Sequence, residues 1–411
     1  MKALTKISIG FLALAAVALW FTSCSSEDVA SGTNQGRKSL LTLSINTGNV
    51  NNTRANDWIG SAPTDESKIQ SMTVGIFTSE GKVRTIVELK AGSGVGTKLS
   101  DDGQTATIVT TQLTSTDKVL VAVNAVEGKF QGVQTADDFK GKTVEADVAL
   151  CAGAEKETQD VSKTPMFGSG DLKNTEGETK DKNFTASVKV YHMLSKVHLQ
   201  ALNVQFNENG AFKDASFTPT DIFMINVPND VKFNVTSNTD ENAWTKTSTF
   251  LHGWSNDDYS DANSLATGMG TYKKYLTTGD LTSSGASPIV LQGTSGSFGK
   301  EVYFYTLPNG KTELANRTKL VIAGTFKNNT SDPGTKVYYP VPINAKFENS
   351  GNVIAAEGTK YAVYPNKVYN CTVNIKAKGA STPNESLEPQ TASVTVTVEP
   401  YNPADQTTNF E

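Results

Sequence analysis

Three His and three Cys in 411 residues leave little material for a metal site or a nucleophile–base pair. His192 and His198 lie in one strand-like run with even spacing. A strand would put both rings on one face but about 20 Å apart, at roughly 3.3 Å per residue. They read as core or surface histidines, not as ligands. Gly92-Ser-Gly94-Val-Gly96 superficially has the form of a dinucleotide loop, but Lys98-Leu-Ser-Asp-Asp-Gly103 follows where an apolar helix should open. A hairpin loop is the better reading. Asp257, Asp258 and Asp261 form an acidic loop that lacks the terminal Glu of an EF-hand. Cys151 and Cys371 could pair in an oxidising compartment. Each sits in an apolar strand-like context (VALC, YNCTVNI), so both read as separately buried thiols. With no Gly-x-Ser-x-Gly, zinc spacing or Walker loop, the sequence nominates no catalytic residue, no metal and no cofactor, and the expectation is a protein that is not an enzyme.

The elements that would position any site are strands. Leu41, Leu43 and Ile45 alternate with Thr42 and Ser44, and Met72, Val74 and Ile76 with Thr73 and Gly75. The same period of two recurs at Val119–Val123, Tyr369–Ile375 and Val394–Val398. Such rows put one face on a core and one in water. Turn signals separate them at Ser79-Glu80-Gly81, Asp101-Asp102-Gly103, Pro308-Asn309-Gly310 and Asp332-Pro333-Gly334. Fifty-one Thr residues fit the solvated faces of pleated sheets. No long segment has a helical period, and residues 115–157 mix a strand with short helical pieces. The fold class is all-β with minor helix, built as sandwiches. A polar run at Leu172–Asn183 suggests a domain boundary near residue 185. Residues 236–297, rich in Ser, Thr, Asn, Asp and Gly, read as long loops with short strands, where binding surfaces tend to sit. A net charge of −5 with a pI near 5.5 lacks the basic footprint of a nucleic-acid binder.

Residues 1–24 form an address. Lys2 and Lys6 precede an apolar run, Ile7–Phe21, too short to span a bilayer and suited to a signal peptide. The run ends Phe21-Thr22-Ser23-Cys24, which resembles a bacterial lipobox with Phe in place of the usual Leu, so lipidation is expected at Cys24. The small and polar residues to Gly36 read as a flexible tether. Acidic Glu27 and Asp28 resemble the surface-export signal of Bacteroidetes-type lipoproteins.

Three features then follow in a mechanically sensible order. The strand pattern Leu40–Ile45 leads into a polar turn. Arg54-Ala55 stands in NNTRANDW, an exposed setting that a trypsin-like protease could cut. The last strong strand, Val394–Val398, comes after a hinge, Gly379–Gln390, that reads as loose. The segments RANDWIGSAPTDESKIQSMTVGIF (54–77), KVYYPVPIN (336–344) and NKVYNCTVNIKAKGASTPNESLEPQTASVTVTVEP (366–400) resemble the Bacteroidales fimbrillins, the major fimbrial subunit family. Where that family often has a Trp after its final strand, Tyr401 stands here. The resemblance implies two tandem transthyretin-like β-sandwich domains and assembly by strand exchange. The organisation expected is a lipoprotein signal peptide (1–24), a tether with a removable first strand (25–54), an N-terminal sandwich (55–185), a C-terminal sandwich (186–391) and a donor strand with tail (392–411).

Strand exchange also makes physical sense. A cut after Arg54 would take Leu41, Leu43 and Ile45 out of a sheet and leave unpaired backbone along an apolar floor. Val394, Val396 and Val398 of a neighbour match that row and could fill it by β-augmentation. From pattern alone, this last strand could equally fold back on its own sandwich; the resemblance favours donation. The expected function is a shaft pilin of a cell-surface fimbria. Its partners would be other copies and related fimbrial subunits, the outer membrane through the precursor's lipid, and host or bacterial surface receptors. The alternatives are a surface-anchored lipoprotein that stacks glycan on tryptophans such as Trp244 and Trp254, or an anchor or tip subunit.

Overall fold

The structure, a computed structural model, describes residues 38–47, 66–146, 163–175, 183–234, 244, 250–253, 270–271, 275–276, 281–282, 287–311, 313–347, 352–357 and 361–400. Cys24, Arg54, Ala55, Cys151, Trp254, the acidic loop at Asp257–Asp261 and Tyr401 lie outside these residues.

The N-terminal half consists of β1 (Lys38–Asn46), β2 (Ser71–Phe77), β3 (Val83–Lys90), β4 (Lys98–Leu99), β5 (Thr105–Thr111), β6 (Lys118–Val123), helix α1 (Ala136–Gly141), β7 (Thr143–Glu145), β8 (Met166–Asp171), β9 (Lys173–Asn174) and β10 (Asn183–His192). Eight strands form one sheet in the order β3-β2-β6-β8-β10-β1-β5-β4, with β9 added to β10. An Ala91–Leu99 bridge brings the two ends of the sheet together, so it curls around its own core. That core takes Leu41, Leu43 and Ile45 with Val74, Ile76, Ile108, Val121, Phe184 and Val188. The glycine-rich segment is a loop between β3 and β4, with Gly92, Gly94 and Gly96 all at positive φ. Helix α1 starts at a capping box in which Thr135 and Asp138 satisfy each other's backbone N–H groups.

The C-terminal half comprises β11 (Ser195–Val204), β12 (Ser216–Ile225), β13 (Val227–Pro228), β14 (Asp230–Lys232), β15 (Phe250–His252), β16 (Gly270–Thr271), β17 (Tyr275–Leu276), β18 (Leu291–Gln292), β19 (Val302–Thr306), β20 (Lys319–Lys327), β21 (Thr335–Pro342), β22 (Ala345–Phe347), β23 (Val353–Ala355), β24 (Lys367–Ile375) and β25 (Ala392–Pro400). Sheet β19-β11-β24-β25 packs on sheet β17-β12-β20-β21. Leu199, Phe304, Tyr369 and Val373 from one meet Phe217, Ile222, Ile322 and Tyr339 from the other. The fold is all-β with one minor helix, as the sequence pattern led us to expect.

Three details differ from that pattern. The expected boundary near residue 185 falls inside β10, and the chain crosses between sheets at Met193-Leu194. His192 and His198 therefore sit on different strands, β10 and β11. Strands β2 and β6 are buried on both faces rather than one. Their second face is covered at the joint between the halves, where Phe130 stacks on Phe139 at 4.0 Å and meets Phe233 at 5.2 Å. There β7 pairs with β14, so a short ladder spans the joint. Finally, Pro308-Asn309-Gly310 is not a free turn. Asn309 is buried, and its amide donates to the carbonyls of Asn226 and Asn316 and to the Thr318 hydroxyl.

Candidate functional site: the first and last strands

Strand β1 lies inside its sheet. It runs parallel to β10, from Leu40 beside Asn183 to Asn46 beside Lys189, and antiparallel to β5, from Lys38 beside Thr111 to Ser44 beside Thr105. Its period-two pattern places Ser39, Leu41, Leu43 and Ile45 inward, with Leu41 and Leu43 fully buried. The hydroxyl of Ser39 accepts the Leu113 N–H at 3.1 Å. Outward, Thr42 lies between Thr107 and Thr185, and Leu40 beside Val109. Each buried aliphatic side chain contributes roughly 1.5–3 kcal/mol, and both edges of β1 carry ladder hydrogen bonds as well.

Strand β25 is an edge strand. Its nine residues pair antiparallel with β24 from Ala392 beside Ile375 to Pro400 beside Lys367. Val394 and Val396 are buried in the core of their own sandwich, and Val398 packs partly against it. In the single chain the terminal strand thus folds back on its own domain. Cys371, opposite Val396, is a free, buried thiol that burial pushes up to about 12.

The hinge before β25 is not loose, because it is fastened to β20 and β21. Ala380 and Tyr338 exchange backbone hydrogen bonds, and the Tyr339 hydroxyl donates to the Ala377 carbonyl at 2.9 Å. Lys319 Nζ donates to the backbone and side-chain oxygens of Asn384 at 2.8 and 2.7 Å. Asn226, at positive φ, adds a bond to Asn384 Oδ1 at 3.2 Å. Burial, with Arg317 nearby, lowers Lys319 to about 8. A lone Lys and scattered Asn residues carry no periodicity, so this fastening had no signal in the sequence.

A second cluster missed by sequence reading holds the chain downstream of Arg54. The buried carboxylate of Glu66 pairs with Lys196 at 2.7 Å and accepts the Tyr305 hydroxyl. His192, held neutral by burial with Lys196 nearby and lowered to about 3, meets the Ser67 hydroxyl at 3.4 Å. Asn124 takes the N–H of Gln70 and donates to the carbonyls of Lys68 and Thr164. His198 is held by Asn370 at 2.8 Å and Glu301 at 3.0 Å and stacks on Tyr303. Trp244 is fully buried, edge-on to Tyr364. It has no free face to stack on a sugar, which removes it from the glycan-binding alternative.

Two packed β units follow one another, with one apolar strand threaded mid-sheet near the start and another on a sheet edge near the end. Residues 41–192 match the profile of the family described as major fimbrial subunit protein (FimA). The match runs from β1 to the end of β10. The fold is that of solved fimbrial structures. A fimbrilin (FimA) from Porphyromonas gingivalis superposes with a TM-score of 0.57 at 16% identity, over 90% of this chain and 99% of that one. A candidate cell adhesion protein from Parabacteroides distasonis gives 0.60 at 14%, over 89% and 100%. Another from Bacteroides eggerthii gives 0.56 at 19%, over 90% and 98%. No curated protein matches by sequence. The fimbrillin resemblance read from the sequence is thereby borne out.

Proposed function

We propose that this fimbrial protein is a polymerising shaft subunit, exported as a lipoprotein precursor and matured by a cut between Arg54 and Ala55. Lipid on Cys24 carries the precursor to the outer membrane. The cut removes Leu41, Leu43 and Ile45 with the rest of β1. Val394, Val396 and Val398 of another copy then fill the opening, and the resulting fibre presents its subunits at the cell surface for adhesion. The two halves on either side of Met193-Leu194 form the body of the subunit. The observation that carries this reading is the position of β1: an apolar strand paired on both sides, encoded upstream of Arg54 in a polar segment. Its loss leaves two unpaired edges and an apolar floor, a state that another strand relieves. The matching period-two row of Val394, Val396 and Val398 supports the occupant. The test is N-terminal sequencing of fibre material with negative-stain microscopy of precursor before and after cleavage. Ala-Asn-Asp-Trp at the N-terminus and fibres only after the cut are expected. A mature protein that starts at Cys24 and stays monomeric would mark an anchored subunit instead.

A further inference from the structure

The two halves are joined by more than the chain crossing at Met193-Leu194, and the other connections are of two kinds. One is apolar: Phe130, Phe139, Phe167 and Phe233 pack ring on ring beside the three-residue ladder of β7 and β14. The other is polar and runs along residues 66–70, which lead into β2. We propose that this run is a strap that locks the two halves in one relative orientation, anchored on the C-terminal half by Glu66 and on the N-terminal half by Asn124.

Every residue of the run is held. Lys196 of β11 and Tyr305 of β19 are neighbours in register, and both reach the buried Glu66 carboxylate. Lys196 Nζ lies 2.7 and 2.9 Å from its two oxygens. One residue on, Ser67 meets His192 at the end of β10, so the run passes from one half to the other within two residues. Ile69 is buried in the N-terminal core. The Asn124 side chain then takes the N–H groups of Gln70 and Ser71 at 2.9 and 3.3 Å and donates to the carbonyls of Lys68 and Thr164 at 2.8 and 3.0 Å. Asn124 has a φ of 55°. A residue other than glycine keeps such a backbone where its surroundings fix it. The crossing beside the strap is braced in the same way by Asn366, at a φ of 57°. Its Oδ1 accepts the His192 N–H at 3.2 Å, and its own N–H donates to the Leu194 carbonyl at 3.0 Å. The two kinds of connection do different things. Apolar burial is non-directional and scales with area, so the rings hold the halves together but tolerate small slides. A buried ion pair adds little net stability, because both charges lose water. Any displacement, however, leaves a charge uncompensated, so the pair selects one geometry. A subunit locked in this way is one stiff unit, and in the fibre proposed above bending falls at the contacts between subunits.

Pulsed electron resonance between two nitroxide labels reads the lock without any need for fibres. The labels go on Thr111→Cys in β5 and Thr335→Cys in β21, both exposed. The chain is the uncut precursor with Cys24, Cys151 and Cys371 replaced by Ser, Ser and Ala. One narrow distance peak is expected. Asn124→Gly should broaden or split it, because glycine takes the same φ without strain and only the holds on the strap are lost. Glu66→Ala should do the same by removing the anchor on β11 and β19. Phe130→Leu should lower the melting temperature yet keep the peak narrow, since it trims the rings and leaves the strap in place. If circular dichroism shows that Glu66→Ala does not fold, Asn124→Gly decides alone. A broad peak in the parent chain, or a peak that stays narrow in Asn124→Gly, would overturn the lock. Broadening by Phe130→Leu alone would overturn it too, because the rings would then set the orientation.

Discussion

Strands β1 and β25 carry nearly the same sequence message, three apolar residues at period two, yet the fold treats them differently. β1 is inside its sheet with a ladder on each side, whereas β25 closes an edge with one. A strand with two partners cannot leave by peeling, because both ladders and the buried row must be lost together. Covalent excision is the physically sensible way to remove it. An edge strand can detach one residue pair at a time, losing one ladder, and needs no cut. On the proposed assembly, the irreversible step falls to the N-terminal sheet and the reversible one to the C-terminal sheet.

The largest expected effect breaks this contrast on the β1 side. Leu43→Ala should destabilise the precursor by about 2–5 kcal/mol, the cost of truncating a fully buried Leu. The same substitution should leave the melting temperature of matured fibres unchanged, because the altered residue is gone. Differential scanning of precursor and fibre checks both. Equal losses in the two would mean that β1 stays in the mature subunit.

On the β25 side, deletion of residues 392–411 should lower stability by several side chains' worth of burial and should abolish assembly. β24 keeps β11 as a partner, so the C-terminal sandwich should remain folded with a lower melting temperature. The cleaved protein should run as a monomer on size exclusion. Val396→Asp should block fibres too, but it also sets a carboxylate against the chain's own core near Cys371, so a lowered melting temperature accompanies the loss of assembly. Fibres that persist without residues 392–411 would end the donor role.

A smaller effect concerns the fastening before β25. Lys319 titrates near 8 in the folded chain, below its ordinary 10.5, because burial disfavours its charge. Between those values the unfolded chain binds more protons, so stability should rise with pH over about pH 8–10.5, as the buried cost of the ammonium is relieved. Lys319→Met should abolish that rise. It should also speed hydrogen exchange around Asn384, since two donated bonds are lost. A pH slope that survives the substitution would assign it to another group.

Both strands were legible because period-two alternation is local: Leu41-Leu43-Ile45 and Val394-Val396-Val398 need no knowledge of their neighbours. Their places in the sheets were not legible, because middle or edge is decided by β5, β10 and β24, far off in the chain. The double burial of β2 and β6 was hidden for a related reason. Phe130, Phe139 and Phe233 cover the second face from separate segments. The turn between His192 and His198 was missed since Met193-Leu194 carries no Gly, Pro or Asn signal. The holds on Asn384 and Glu66 join polar residues with no pattern to read, and the composition of Gly379–Gln390 argued for looseness that Lys319 and Asn226 cancel.

The smallest effect energetically is a direct report on the edge strand. Cys371 faces the core from β24, behind Val396, and its thiol is pushed up to about 12 by burial. Near pH 8 almost none of it is thiolate, and a reagent has no path to it. On the proposed donation, β25 leaves for another subunit and β24 becomes the edge. Water then reaches that side of Cys371, and its thiol moves back toward the ordinary value near 8.5. Alkylation with iodoacetamide, followed by peptide mapping to separate Cys371 from Cys151, should be slow in the precursor and faster in matured fibres, with no change in stability before labelling. The deletion of residues 392–411 should label at the fibre rate, since it uncovers the same edge by another route. Equal, slow labelling of precursor and fibre, together with fast labelling of the deletion, would mean that β25 stays home in the polymer and that a different segment fills the place of β1.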